Sequence, residues 1–169
     1  MSGRALLVIV PVFVLLFAGA AAAQKKTFIL VRHAEKDTSP TADKKDPELT
    51  EAGRARAERL RHVLKRYKPD EIFASEFKRT RATAEPTAAW RRRQIQAYNI
   101  AGLNELAEQV LASKAKRTLI VGHNTTTPAL ANILIGSQLF KAIPDDDYGK
   151  IFIVQLRDGR LKKAEIIEY

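Results

Sequence analysis

The chain of 169 residues is 46% apolar and 28% charged, the balance of one globular domain with a core rather than of a disordered tail. Lys and Arg number 29 against 19 Asp and Glu, a formal net charge of +10 that biases the surface toward anionic substrates or partners. Aromatic residues are not interleaved with those charges as single-stranded nucleic-acid binding requires, so nucleic acid is not an expected partner; the absence of cysteine excludes a disulfide framework, a thiolate zinc site, a cysteine nucleophile and a lipid anchor on an N-terminal cysteine.

Residues 1–23 read as a secretory signal peptide: a basic start around Arg4, an apolar run from Ala5 to Phe17, and a small-residue stretch from Ala18 to Ala23. Ala21 and Ala23 fit a small-x-small cleavage pattern, which places the mature start at Gln24 and the catalytic domain at residues 24–169. The alternative is an uncleaved single-span anchor, the one route by which the chain is expected to meet a membrane. Either way the domain lies on the far side of the membrane, in the periplasm or outside the cell.

Phe28, Ile29, Leu30 and Val31 form an unbroken apolar run, the sign of a strand buried on both faces. A polar loop from Asp37 to Pro47 follows, then a helix capped by Thr50 and running to about Tyr67, with Pro69 beyond it. Glu71 to Ala74 reads as a second strand, and Phe77 to Arg91 as a helix that Pro86 should kink or interrupt. Gln94 to Tyr98 suits a short edge strand, Leu103 to Ser113 a helix, Thr118 to Val121 a buried strand and Thr127 to Ile135 a last helix. Ile151 to Leu156 and Leu161 to Ile167 flank Asp158-Gly159, a hairpin signal. Together these predict an α/β, three-layer sandwich: a mostly parallel central sheet flanked by helices and closed by a C-terminal hairpin.

Arg32 and His33 follow the first buried strand directly, and Gly122 and His123 follow the fourth. Open α/β sheets bind ligands outside the carboxyl ends of their strands, so two histidines distant in sequence can meet there. The stretches Leu30-Val31-Arg32-His33-Ala34-Glu35, Ser75-Glu76-Phe77-Lys78-Arg79-Thr80 and Val121-Gly122-His123-Asn124, with the helix start Leu49-Thr50-Glu51-Ala52-Gly53, resemble the histidine phosphatase superfamily, the phosphoglycerate mutase-like branch. The one departure is Ala34, where the family usually has glycine.

The resemblance implies a phosphoric monoester hydrolase working through a phosphohistidine on His33, with Arg32, Arg79 and His123 holding the phosphoryl group and neither metal nor cofactor required. Forked guanidinium donors suit a phosphoryl group whose charge is spread over three oxygens, and they depress the pKa of a neighbouring imidazole, which keeps His33 neutral. Ser75 and Asn124 are candidate phosphate-binding residues; Ser75 has the blander alternative of capping the Arg79 helix, as Thr125, Thr126 and Thr127 have of capping the helix after His123. One branch of the superfamily places an acid directly after the second histidine, where this chain has Asn124; other relatives carry a Glu in the segment after the second arginine motif, which the resemblance implies is Glu105, with a solvated helix residue as the alternative reading. Glu35 reads as a structural partner and His62 as a surface residue. The expected partner is a phosphorylated small molecule or an envelope phosphate such as that of lipopolysaccharide core; a mutase and a non-catalytic phosphate-binding module are the rival readings.

Overall fold

The computed structural model describes residues 24–169; the expected leader, residues 1–23, lies outside the described residues. In chain order the elements are β1 (Lys25–Arg32), α1 (Glu51–Val63) with a 3-10 turn Leu64–Arg66, β2 (Glu71–Ser75), α2 (Lys78–Arg91), β3 (Ile95–Tyr98), α3 (Leu103–Ala112), β4 (Arg117–Gly122), α4 (Thr126–Ile135), β5 (Lys150–Arg157) and β6 (Arg160–Glu168). They build one six-stranded sheet in the order β3-β2-β4-β1-β5-β6. The first four strands in that order run parallel, and β5 and β6 close the sheet as an antiparallel hairpin.

Alternation along the strands divides the core in two, because successive side chains of a strand point to opposite faces. Ile29, Val31, Ile72, Ala74, Leu119, Val121, Ile151 and Ile153 meet Leu60 and Leu64 of the first helical segment and Ala84 and Ala88 of α2. Phe28, Leu30, Phe73, Ile120, Phe152 and Val154 meet Leu106 and Val110 of α3 and Leu130 and Leu134 of α4 on the other face. The three-layer reading of the sequence is therefore the fold observed.

The interruption expected at Pro86 does not occur: α2 runs unbroken from Lys78 to Arg91 with Pro86 inside it. Proline lacks the N–H for one helical hydrogen bond. Thr80, Thr83, Ala84, Thr87 and Ala88 are buried on the inner face of α2, and this packing on both sides of the proline outweighs one missing bond. The first helix also ends sooner than its apolar spacing suggests, tightening into the 3-10 turn at Leu64 ahead of Lys68, whose φ is 49°.

The start of α1 is tied to the segment that follows β1. Thr50 caps the helix by accepting from the Gly53 N–H at 3.0 Å, and its own N–H donates to the Glu35 carbonyl at 2.9 Å. The Glu35 carboxylate meets Arg56 in a forked pair, with oxygen to nitrogen distances of 2.7 to 3.0 Å. A Cβ added at Gly53 would lie 2.3 Å from the Glu35 carbonyl oxygen, so α1 approaches this closely only because the residue is glycine. Gly53→Ala is expected to cost about 1–3 kcal/mol in chemical denaturation by forcing α1 and the Ala34–Glu35 segment apart; an unchanged midpoint would show that the contact yields freely.

Candidate active site

The two histidines come together through strand register. In the parallel pairing of β1 with β4, Arg32 lies opposite Gly122, so His33 and His123 leave adjacent strands at one level. The pairing of β2 with β4 sets Ala74 opposite Val121 and brings Ser75 to that same level. The rings of His33 and His123 meet edge to face with centroids 5.3 Å apart. Gly122 is required at the crossing because a Cβ there would sit 2.7 Å from the Tyr98 hydroxyl and 3.0 Å from Thr127 Oγ1.

His33 is held in a defined state. Its backbone N–H donates to the Gly122 carbonyl at 2.8 Å, and its Nδ1 lies 2.7 Å from the Ala34 carbonyl oxygen. A carbonyl only accepts, so Nδ1 carries the proton and the neutral ring keeps its lone pair on Nε2. Ala34 donates its N–H to Thr83 Oγ1 at 3.0 Å and is absent from the residues with positive φ, so the usual glycine is not needed for the backbone to turn here. Burial pushes the His33 pKa down to about 3; the nearby charges of Arg79 and Arg32 and the His123 ring act in the same direction, and the bond to Ala34 opposes them. The sequence argument assigned this depression to the guanidiniums. Burial outranks them, because a ring only 4% exposed loses most of the water that would solvate its charged form.

His123 is held from behind. Its Nε2 lies 2.9 Å from Ser75 Oγ, which is 3.0 Å from Thr80 Oγ1, and Thr80 donates to the Phe77 carbonyl at 2.6 Å. Burial, then Arg79, Arg32 and Lys36, lower its pKa to about 4. Ser75 therefore does not cap α2, whose N-terminal residue Phe77 has no side-chain cap bond; it is completely buried and directed at the second histidine. Among the three threonines, Thr126 accepts from the His123 N–H at 3.0 Å and Thr127 donates to the Val31 carbonyl at 3.2 Å, so they fasten the loop between β4 and α4 rather than capping the helix through Thr125.

The arginines present donors with no protein partner. Arg32 Nη1 donates to the carbonyls of Pro144, Asp145 and Asp147 at 2.8, 3.0 and 3.0 Å, while its Nε is buried and unbonded. Arg79 has both Nε and Nη1 buried without a hydrogen bond, and its nearest carboxylate oxygen, on Asp46, lies 3.6 Å away. Guanidinium donors beside two neutral imidazoles suit a tetrahedral oxyanion.

Two aromatic neighbours of the arginines were not singled out in the sequence. Tyr148 stacks on Arg32 with 4.1 Å from guanidinium carbon to ring centre, and Phe77 stacks on Arg79 at 4.3 Å. Phe77 sits inside the recognised Ser75–Thr80 stretch and was findable there, whereas Tyr148 enters from a loop that no pattern shapes. Asn124 donates to Asp145 Oδ1 at 2.8 Å, which holds the segment 144–148 over Arg32. Glu105 is exposed in the first turn of α3, its Oε2 lying 3.2 Å from where a Cβ on Gly102 would stand. His62 is exposed on α1 and bonded to Arg61, as the sequence suggested.

Comparison with known proteins follows this geometry. No curated protein sequence matches the chain. Among solved structures, a protein assigned as the phosphohistidine phosphatase SixA from Agrobacterium tumefaciens is 23% identical, covers 85% of this chain and 98% of its own, and superposes with a TM-score of 0.66. A mycobacterial hydrolase at 14% identity covers 86% of this chain and 99% of its own with a TM-score of 0.69. A mycobacterial glucosyl-3-phosphoglycerate phosphatase in complex with inorganic phosphate, also at 14% identity, covers 82% and 96% with a TM-score of 0.65. At these identities the likeness establishes the shared fold. The family model of the histidine phosphatase superfamily, branch 1, matches residues 28–111, the stretch that supplies Arg32, His33, Ser75 and Arg79. The chain belongs to the histidine phosphatase superfamily.

Proposed function

We propose that this protein is an exported, metal-independent phosphatase that transfers the phosphoryl group of a phosphate ester to His33 Nε2 and then to water. The observation that carries the reading is the pairing of that nitrogen, left with its lone pair by the Nδ1 bond to Ala34, with the unbonded donors of Arg32 and Arg79. In the first step Nε2 forms a bond to phosphorus as the bond to the leaving oxygen breaks. The positive charge that develops on the ring is eased by Nδ1–H donating to the Ala34 carbonyl, and the charge on the phosphoryl oxygens is met by the two guanidiniums. When Ser75 donates to His123 Nε2, the proton of that ring sits on Nδ1 and is available to a phosphoryl oxygen. In the second step water attacks phosphorus, the nitrogen–phosphorus bond breaks, and inorganic phosphate leaves with the neutral imidazole restored.

Export rests on the sequence of residues 1–23. Substrates with good leaving groups suit the site, in keeping with the likeness to a phosphohistidine phosphatase. Asn124, through Asp145, positions the strap beside Arg32 and so bounds the phosphate pocket.

Acid quenching of the full chain after brief mixing with para-nitrophenyl phosphate, in the presence of chelator, is expected to show a phosphoryl adduct on His33 and release of nitrophenol, and His33→Ala to lose both while staying folded. A folded wild-type protein that gives neither is a phosphate-binding module. The free-enzyme profile of kcat/KM is expected to keep its acid limb near pH 3–4 rather than near the ordinary histidine value, because His33 stays neutral and nucleophilic above its lowered pKa of about 3 and His123 above about 4; an acid limb centred near 6.5 would contradict burial as the controlling influence. Glu105→Ala is expected to slow alkyl phosphates by about tenfold or more while sparing aryl phosphates if it donates the proton, and equal rates on both would remove Glu105 from the mechanism.

A further inference from the structure

The parallel strands begin at one end of the sheet and deliver His33 and His123 at the other. Most of the connections at the starting end carry exposed basic residues. Lys68 precedes β2, Arg92 and Arg93 precede β3, Lys114 and Lys116 precede β4, and Arg160 opens β6; all six are exposed, and none has an ion pair among the described residues. Acids at this end are already committed: Asp70 to Arg117 and Arg91, Glu71 to Ser113, and Asp158 to the Gln24 N–H. The catalytic end mixes both signs, Asp43, Asp46 and Glu48 standing with the exposed Lys36, Lys44, Lys45 and Lys78, and Asp145, Asp146 and Asp147 following on the second loop. Six of the chain's 29 basic residues thus stand exposed, and without an ion pair among the described residues, at the end away from the chemistry. Adjacent strands lie about 4.8 Å apart, so the basic end spans roughly 24 Å from β3 to β6.

Two further features sit at this end. A groove of about 560 Å³ opens beside it between Arg66, Arg117 and Lys163, floored by Thr27 and Gln155, which lie opposite each other in the sheet register. Gln24 is exposed here, and the sequence directly ahead of it is the small-residue and apolar stretch that ends at Ala23.

We infer that this basic end is a membrane-docking surface that rests on the headgroups of an anionic phospholipid bilayer, with the catalytic end facing away. Two observations select a bilayer over other polyanions: in the uncleaved chain the apolar stretch joins the domain at this end, and the cations form a broad end-face rather than a groove lined with aromatic rings. The docking is independent of the catalytic reading, since none of its residues is at the histidines.

Flotation of the full chain with vesicles of phosphatidylcholine, with and without phosphatidylglycerol, tests this. Binding to the neutral vesicles measures what the apolar segment contributes, and the excess on anionic vesicles measures the basic end. The excess is expected to be large at low salt, to disappear at high salt, and to fall by about tenfold or more in Arg93→Glu/Lys116→Glu/Arg160→Glu. The corresponding triple glutamine variant should show an intermediate loss, and circular dichroism melting separates lost docking from lost folding. Equal binding to both vesicle types, an excess unchanged in folded variants, or duplex DNA displacing the chain from anionic vesicles at physiological salt would overturn the inference.

Discussion

The parallel register of β1 against β4 sets Arg32 opposite Gly122, and the rest of the site is built outward from that pairing. Strand side chains alternate with a period of two, so a slip of one residue would exchange Phe28 and Leu30 with Ile29 and Val31 between the two helical layers. The apolar residues on both faces therefore hold the register, and the register brings the His33 and His123 rings to 5.3 Å. Gly122 and Gly53 are the positions where the backbone comes too close to a neighbour for any side chain, one under Tyr98 and one against Glu35.

Around that frame two imidazoles are buried neutral and two guanidiniums stand beside them. The guanidiniums are held by structural contacts: three carbonyls and the Tyr148 ring for Arg32, and the Phe77 ring and an ion pair to Asp46 at 3.6 Å for Arg79. Groups held this way are positioned before a phosphoryl group enters. The hydroxyl chain from Thr80 through Ser75 to His123, and the carbonyl of Ala34 at His33, complete this by fixing a nitrogen of each ring. A site of this kind excels at receiving a phosphoryl group.

Charge is distributed unevenly between the two ends of the sheet. Exposed lysines and arginines stand at the strand starts, while the loops at the catalytic mouth mix aspartates with Lys36, Lys44 and Lys45. Composition reports only the sum, +10, and a uniformly basic surface would have the same sum. The parallel arrangement sorts the connections into two sets, and so turns an unremarkable net charge into an uneven distribution.

Much of this was legible in the chain itself. The unbroken apolar run before Arg32, the capping Thr50, the Asp158-Gly159 turn and the Gly-His after β4 are local patterns whose physics is complete within a few residues, and they predicted the layers, the hairpin and the strand-end positions of Arg32, His33 and His123, whereas Arg79 came from the family resemblance. The course of α2 through Pro86, the bonding of Ser75 to His123 in place of a helix cap, and the strap that brings Tyr148 and Asp145 onto Arg32 each depend on partners distant in sequence. The state of His33 divides the same way. Its sequence neighbours supply the Ala34 carbonyl that fixes the tautomer, but only tertiary packing buries the ring, and burial is what drives its pKa furthest from the ordinary value.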